Sequence, residues 1–145
     1  MKTEMEMAMF SYPATVTRIA PGDFLVRFAD VPEAITGGDT PAKALENAPD
    51  ALAGAIDGYL ELDMPVPAPR DAADGEHLVA LDPEVAARVA LRRRMSELGL
   101  TKVALAQRMN RDEKAVRRIL SGKNASFSMT MDALKAVGLR PALSV

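Results

Sequence analysis

Two helix-start signals, Thr101 and Asp112, constrain the fold of this 145-residue chain more than any other feature. Each is a residue type that caps helix N-termini, and each precedes apolar residues at helical spacing. These apolar residues are Val103, Leu105, Ala106 and Met109 in the first helix, and Ala115, Val116, Ile119 and Leu120 in the second. Asn110 lies where a tight turn requires a left-handed backbone, which Asn tolerates, and Gly122 can end the second helix. The sequence therefore predicts two short helices joined by a tight turn.

The polar face of the second helix is basic, because it carries Lys114, Arg117 and Arg118. This pattern is typical of a helix-turn-helix motif, in which the second helix lies in the major groove of DNA. An ordinary helical hairpin with a solvated basic face has the same local pattern, and only the rest of the chain separates the two interpretations. Alignment to the motif predicts that Asp112, Glu113, Lys114 and Arg117 face base edges, and that Lys102, Arg118, Lys123 and Asn124 face phosphates.

The net charge of −2 conceals two halves of opposite charge. Residues 1–81 contain 5 Lys and Arg against 14 Asp and Glu, a net of −9, whereas residues 82–145 contain 13 against 6, a net of +7. A basic half that contains the helix-turn-helix pattern has the electrostatic character of a DNA-binding domain. The acidic half predicts a different partner. Simple attraction between the halves is the alternative explanation.

The composition excludes several kinds of site. The chain has no Cys and a single histidine, His77, so thiolate chemistry is excluded and a metal site would need carboxylates alone. No apolar run approaches the roughly 20 residues of a membrane helix. The opening MKTEMEMAMF lacks the continuous apolar core of a signal peptide. We therefore expect a cytoplasmic protein without a membrane segment, a metal or a cofactor.

The N-terminal region predicts three short strands. The first is Ala8–Ile19, and the turn signal after it places Gly22 where a type II turn requires positive φ. Residues 24–28 alternate as a second strand and complete a hairpin. Residues 34–36 predict a third strand, closed by Gly37-Gly38.

A long helix is predicted after these strands. Asp39-Thr40-Pro41 is a helix start, since a capping residue precedes proline at the first helical position. The helix is expected to continue to Leu62 and to cover the sheet with one apolar side. That side contains Leu45, Ala48, Leu52, Ile56 and either Tyr59 or Leu60. Pro49 removes one backbone hydrogen bond and is expected to kink the helix.

The middle of the chain predicts a linker, a strand and another helix. Met64–Glu76 contains three prolines and is typical of a semi-stiff linker. His77–Leu81 predicts a short strand that pairs with either neighbour. Asp82-Pro83 starts a helix that continues to Leu98, and we interpret Arg92-Arg93-Arg94 on it as a solvated face. Its buried side contains Val85, Val89, Leu91, Met95 and Leu98.

The end of the chain predicts a final helix capped by Ser128 or Thr130. Its inward residues are Met131, Leu134 and Val137, and Gly138 ends it. Arg140–Val145 has the alternation of a last short strand. Residues 85–137 thus form four or five helices, of which the candidate DNA-reading helix is the third.

The N-terminal half resembles the HicB antitoxin domain. The resemblance rests on Tyr12-Pro13-Ala14 in the first strand, Phe24–Phe28 in the second, and Asp30–Pro32 after it. Its most specific part is Thr36–Thr40, which ends in Gly-Asp-Thr, followed by Ala44–Ala48, with the sequence Ala-Leu-Glu-Asn-Ala.

The C-terminal half resembles the Xre/Cro-type helix-turn-helix domain attached to many HicB proteins. The matching residues are Leu105-Ala106, Val116, Arg118–Leu120 and Ala133–Gly138. Arg111 departs from the family pattern, which has an apolar residue in the turn, and Pro49 departs from it in the N-terminal helix.

The resemblance implies an α+β protein that acts as a type II antitoxin. In that family, a small β-sheet plus helix of partial ribonuclease-H-like type binds the small basic toxin HicA, which cleaves mRNA. An all-α helix-turn-helix domain represses the operon. The implied toxin-binding domain spans residues 1–63, or residues 1–81 if the short strand belongs to it. Residues 64–81 contain the proline-rich linker and this strand. Residues 82–145 are the implied DNA-binding domain. The implied partners are a HicA-type toxin, operator DNA with an inverted repeat, and further copies in a homodimer or higher oligomer.

Two other functions are compatible with parts of this sequence. Ribonuclease-H-like folds can hold catalytic metal ions between carboxylates, but residues 12–19 and 24–28 contain no acid and Asp39 is explained by the helix start. We therefore expect no enzyme activity. The other rival is a stand-alone Xre-type transcription repressor whose N-terminal domain senses a ligand. A small reading frame for a basic protein directly beside the gene favours the antitoxin, and its absence favours the sensor.

Overall fold

The computed structural model describes residues 10–140, which have an α+β fold. These residues form β1 (Ser11–Ala20), β2 (Asp23–Arg27), β3 (Ile35–Gly38), α1 (Pro41–Glu61), β4 (His77–Ala80), α2 (Pro83–Leu98), α3 (Lys102–Met109), α4 (Glu113–Ser121) and α5 (Phe127–Ala136). They divide into two compact units. Within the described residues, unit 1 contains 10–59 and Pro65–Asp82, and unit 2 contains Leu60–Met64 and 83–140.

Unit 1 contains an antiparallel sheet with the strand order β3-β2-β1-β4. The predicted hairpin is confirmed, and Gly22 in its turn has φ 70°. β1 begins at Ser11, and residues 8–9 of the predicted strand lie outside the described residues. The sequence did not determine which neighbouring strand β4 pairs with. In the structure it pairs with β1, and Ser11 lies opposite Ala80.

The predicted third strand is confirmed and ends at Gly38, although it spans Ile35–Gly38 and so includes both glycines instead of ending at residue 36. A β-carbon on Gly38 would lie 2.5 Å from the backbone nitrogen of Ala44. Only glycine therefore allows the end of β3 to approach α1 this closely. Beside it, the side-chain amide of Asn47 donates a hydrogen bond to the Gly37 carbonyl at 2.9 Å.

α1 supplies the helical side of the unit 1 core. The Thr40 hydroxyl accepts from the Lys43 N–H at 3.0 Å, as the predicted cap requires. The helix continues through Pro49, which is exposed, so water can hydrogen-bond the carbonyl that proline leaves without a donor. Leu45 is only half-buried, contrary to the prediction, because Ala44 takes the inward position. The core residues of unit 1 include Ala44, Ala48, Leu52 and Ile56 of α1, Tyr12, Ala14 and Val26 of the sheet, and Phe28 directly after β2.

The proline-rich segment after α1 forms hydrogen bonds and an ion pair with the rest of unit 1. The Tyr12 hydroxyl donates to the Pro67 carbonyl at 2.6 Å. The Arg70 guanidinium forms two hydrogen bonds to the Glu76 carboxylate, at 2.6 and 2.7 Å, and lies 3.7 Å from the Asp30 carboxylate. The Arg70 hydrogen bonds, followed by that from the Ala73 N–H, lower the pKa of Glu76 to about 2. This segment therefore has defined side-chain contacts that its linker-like composition did not predict.

In unit 2, α2 to α5 surround an apolar core, and the predicted helix order is confirmed within the described residues. The core contains Leu91, Met95, Leu105, Ala106, Val116, Ile119, Leu120, Ala133, Leu134 and Val137. The prediction that Leu98 lies on the buried side of α2 is wrong, since it is 41% exposed; Val103, predicted on the apolar side of α3, is 49% exposed. Leu98 is the last residue of α2, next to Gly99 at φ 63°, where the chain leaves the core. Val103 lies in the first turn of α3, on the side away from buried Leu105.

The start of α5 differs from the prediction. The Ser126 hydroxyl accepts from the Met129 N–H at 3.1 Å, so the helix begins at Phe127. Ser128 and Thr130 are therefore not the cap, and Thr130 is buried inside the helix. Gly138 follows the helix at φ 82°, as predicted. Of the predicted last strand, residues 141–145 lie outside the described residues.

Candidate nucleic-acid interface

The turn between α3 and α4 has the capping predicted from the sequence. The Thr101 hydroxyl accepts from the Ala104 N–H at 3.0 Å. Asn110 has the left-handed backbone that the turn requires, with φ 55° and ψ 46°. The Arg111 N–H donates to the Ala106 carbonyl at 2.9 Å, while the Arg111 side chain is exposed. An arginine at this position is therefore compatible with the turn.

α4 is capped at both ends. The Asp112 carboxylate accepts from the Ala115 N–H at 2.9 Å. At the other end, the Gly122 N–H donates to the Arg118 carbonyl at 2.9 Å, and Gly122 has φ 75°. Both predicted ends of the helix are thus confirmed, because capping groups satisfy backbone groups that a helix leaves without partners.

The two sides of α4 differ sharply in character. Its buried residues are Ala115, Val116, Ile119 and Leu120. Lys114, Arg117 and Arg118 are exposed on the other side. The Arg117 guanidinium pairs with the Glu113 carboxylate at 2.9 Å, one turn earlier. Exposed ion pairs are weak, so Arg117 can exchange this partner for a base edge or a phosphate.

The two acids predicted to face base edges already have roles within the chain. Asp112 caps α4, and Glu113 holds the Arg117 side chain against the helix. Both carboxylates therefore help to position the basic face of α4, in addition to the base contacts predicted for them.

The predicted phosphate-facing residues outside α4 lie at the start of α3 and in the loop after α4. Lys102 is half-buried, and its ammonium lies 3.7 Å from the Asp63 carboxylate. The Lys123 ammonium forms an ion pair with Glu61. Asn124 is exposed and has a left-handed backbone at φ 55°.

The interpretation of Arg92-Arg93-Arg94 as a solvated face is wrong for Arg92 and Arg94, which make specific contacts, and all three residues are half-buried. The Arg92 guanidinium pairs with the Asp63 carboxylate at 2.7 Å. The Arg94 side chain donates to the Val137 carbonyl at 3.1 Å. These partners lie far along the chain, so the local charge run alone did not identify them.

Sequence reasoning also missed Arg88, which is buried in α2 beside the C-terminal end of α4. A β-carbon on Gly122 would lie 2.7 Å from the Arg88 guanidinium carbon. The available signal was its spacing, since Arg88 lies three residues from both Val85 and Leu91 on the buried side of α2.

The described residues offer no grouping of three or more His, Asp or Glu side chains suited to a metal ion. Among the helices of residues 10–140, none is long and apolar enough to cross a membrane.

Unit 1 presents an open sheet face opposite its buried face. Thr15 on β1 lies opposite Arg27 on β2, which lies opposite Ile35 on β3. Ile19 and Ile35 are more than half exposed. A shallow depression of about 390 Å³ on this face is lined by Thr15, Thr17, Arg27, Phe28, Ala29, Pro32 and Ile35. Thr15, Thr17 and Ile35 are exposed on this face, so it is accessible to a partner.

Comparisons with known proteins identify the family of this chain. Residues 11–90 match the family described as HicB_like antitoxin of bacterial toxin-antitoxin system. The chain is 33% identical over 128 residues to Antitoxin HicB of Escherichia coli (strain K12), covering 88% of this chain and 93% of the relative. It is also 33% identical over 135 residues to Antitoxin HicB 1 of Photorhabdus laumondii, covering 92% and 86%. For Antitoxin HicB of Pseudomonas fluorescens (strain Pf0-1), the identity is 31% over 140 residues, covering 94% of each chain. The chain belongs to the HicB-like antitoxin family of bacterial toxin–antitoxin systems.

Proposed function

We propose that this antitoxin neutralises a small, basic, HicA-type toxin that cleaves mRNA, and represses its own operon through a helix-turn-helix made by α3 and α4. The observation that carries the DNA-binding part is α4. Its two caps and four buried apolar residues fix its orientation, and this leaves Lys114, Arg117 and Arg118 exposed on one side. A short helix with such a face fits the major groove, where basic side chains reach base edges and phosphates.

The toxin-binding part rests on charge and on the family. Residues 1–81 have a net charge of −9, which suits the RNA-binding surface of a basic toxin. The proposed domains are therefore a toxin-binding domain at residues 1–63, extending to 81 with β4, and a DNA-binding domain at 82–145. Neutralisation acts by covering the toxin surface, so the antitoxin itself is not an enzyme, and both partners meet in the cytoplasm.

DNA binding is proposed to require a homodimer or higher oligomer on an inverted repeat. One reading helix buries too little surface for tight specific binding, and two-fold symmetric half-sites double it. Sedimentation of a monomer at micromolar concentration, together with footprinting of one half-site, would contradict this part of the proposal.

The experiment is to co-express the full chain with the neighbouring small reading frame and to isolate the complex. The same preparation is then titrated with a duplex from the region directly upstream of the gene, using fluorescence anisotropy. The proposal expects a stable complex with the basic neighbour and binding to the upstream duplex. If the upstream duplex is bound but no basic neighbour exists, the stand-alone repressor with a ligand-sensing N-terminal domain replaces the antitoxin proposal.

A further inference from the structure

Three cationic side chains of unit 2 pair with two acids, Glu61 at the last position of α1 and Asp63 two residues beyond it. Residues Leu60–Met64 belong to unit 2, and Glu61 and Asp63 lie within them. The Asp63 carboxylate lies 2.7 Å from the Arg92 guanidinium and 3.7 Å from the Lys102 ammonium. The Glu61 carboxylate pairs with the Lys123 ammonium. An anionic group of the chain itself thus occupies each of these cationic positions.

The placement of these acids is unfavourable for α1 itself. The C-terminal end of a helix carries partial negative charge, so it favours basic residues and disfavours acidic ones. The last turn of α1 contains Glu61 and no basic residue. Asp63 has φ 59°, a left-handed backbone at which glycine or asparagine is preferred. The helix end alone therefore does not explain why acids stand at these two positions, whereas the three cations do.

The contacts are also weak enough to be exchanged. The Asp63 side chain is 65% exposed and that of Lys123 is 66% exposed. Water and salt screen ion pairs at such positions, so they contribute little to the stability of the fold. A DNA phosphate carries the same charge as a carboxylate and accepts the same hydrogen bonds from arginine.

Arg92 and Lys102 have the geometry of an anion site. Their charged groups converge on one carboxylate, and both line a shallow depression of about 240 Å³. Its lining consists of Asp63, Arg92, Met95, Ser96, Leu100, Thr101, Lys102 and Leu120, all residues of unit 2. The guanidinium can donate two parallel hydrogen bonds to a phosphate, and lysine adds a point charge.

We propose that Arg92 and Lys102 form a binding site for a backbone phosphate of DNA, and that Asp63, together with Glu61 on Lys123, competes with DNA for these cations. The inference rests on the proposed DNA-binding function and deepens it in two ways. It adds Arg92 to the phosphate-contacting residues, and it makes the end of α1 an internal brake on DNA affinity. Because phosphate contacts carry no base information, the brake acts on DNA of any sequence.

The test compares full-length wild type with Asp63→Asn, and with Asp63→Asn combined with Glu61→Gln. Asparagine tolerates the left-handed backbone at least as well as aspartate, so the first variant keeps the shape of the helix end. The matched control is Asp132→Asn, which removes one exposed carboxylate of α5 that forms no ion pair within residues 10–140. Circular dichroism checks that all variants fold. Binding is measured by anisotropy with the upstream duplex and with a 30-bp duplex of unrelated sequence, at low and at physiological salt.

Asp63→Asn should bind both duplexes about 3- to 10-fold more tightly than Asp132→Asn at low salt, and the gain should shrink as salt rises. In the Arg92→Gln background, the increase in DNA affinity caused by Asp63→Asn should be at most half as large, because one of the two cations that pair with Asp63 is absent. If the wild type binds the duplexes but Asp63→Asn behaves as Asp132→Asn does, the brake is wrong and the proposed function stands. If neither the wild type nor Asp63→Asn binds DNA, the proposed DNA-binding function fails and the phosphate site with it.

Discussion

The Arg88 guanidinium lies directly against Gly122, so close that a β-carbon at position 122 would approach its central carbon to 2.7 Å. Gly122 ends α4, and Arg88 is a buried residue of α2. The C-terminal end of the proposed reading helix thus packs against a charged side chain of a neighbouring helix. Gly122 also has φ 75°, which by itself favours glycine; the contact adds a second, smaller constraint, because an added β-carbon would displace the flexible end of the Arg88 side chain.

These two constraints can be separated by mutation. Gly122→Ala introduces both a strained left-handed alanine and a clash, and should lower the free energy of unfolding by about 2–4 kcal/mol. Gly138→Ala is the matched control, because Gly138 has φ 82° but no atom within 4 Å of an added β-carbon. The free energy of unfolding of Gly138→Ala should fall by about 1–2 kcal/mol, because this variant introduces backbone strain alone. Urea unfolding followed by circular dichroism measures both, and equal losses would show that the contact with Arg88 does not matter.

The cap of α4 gives a second prediction. Asp112→Ala should lower the free energy of unfolding by about 0.5–2 kcal/mol, because the Ala115 N–H loses its acceptor. Asp112→Asn should keep most of the stability, since an asparagine side-chain oxygen accepts the same hydrogen bond. If Asp112 also faces a base edge, the asparagine variant should nevertheless change the preferred operator sequence. Asp132→Ala in α5 controls for the loss of one exposed charge, and an unaltered stability of Asp112→Ala would refute the cap.

Local signals and tertiary contacts differ in how far the sequence predicted them. Thr101, Asn110, Asp112 and Gly122 were assigned correctly because each acts on backbone groups within four residues of itself. Arg88 was missed because its contact with Gly122 spans 34 positions of the chain, and no local pattern encodes such a contact.

The candidate site shows the same limit. The exposed face of α4 followed from helical periodicity, since the apolar side had to face the core. The partners of Lys102 and Lys123 did not follow, because Asp63 and Glu61 belong to a helix end more than thirty residues away in sequence. Even the start of α5 was misplaced, since Ser126 and Ser128 are equally good capping residues and the local sequence does not distinguish them.

The ion pair between Arg70 and Glu76 predicts a pH dependence. Hydrogen bonds from Arg70 hold the pKa of Glu76 at about 2, below the ordinary value of 4.5. A carboxyl whose pKa is lower in the folded state than in the unfolded state stabilises the fold at any pH above its unfolded-state pKa. This contribution is lost as the pH falls towards its folded-state pKa. Glu76→Gln should therefore lower the thermal midpoint at pH 7, and its difference from wild type should shrink between pH 4.5 and pH 2.

Asp74→Asn is the control for that experiment, since it removes an exposed carboxylate of the same segment that forms no ion pair within residues 10–140. Thermal unfolding should place this variant close to wild type at pH 7. A difference between Glu76→Gln and wild type that stays constant from pH 7 to pH 2 would contradict the role assigned to the ion pair.

Base and phosphate contacts should respond differently to mutation. Arg117→Ala should weaken operator binding by about 1–3 kcal/mol and relax the sequence preference. Lys102→Ala should weaken binding to all DNA alike, because a phosphate contact carries no base information. Lys135→Ala, which removes an exposed charge from α5, is the control. Operator binding that survives unchanged in the Lys114→Ala, Arg117→Ala double variant would rule out α4 as the reading helix.

The division of labour between the two halves gives the last prediction. Residues 1–81 should rescue growth from the co-expressed toxin without binding DNA, because they retain the sheet, α1 and the acidic charge. Residues 1–63 should fail, since they lack β4, which pairs with β1, and Arg70, which contacts Asp30. Association of residues 1–81 with the toxin should slow as salt rises, because exposed charges at the rim of an interface govern the association rate and are screened beyond about 10 Å at 0.1 M. Growth rescue and binding rates at two salt concentrations measure these effects. A folded 1–81 fragment that does not rescue, beside a full chain that does, would show that toxin binding needs residues 82–145.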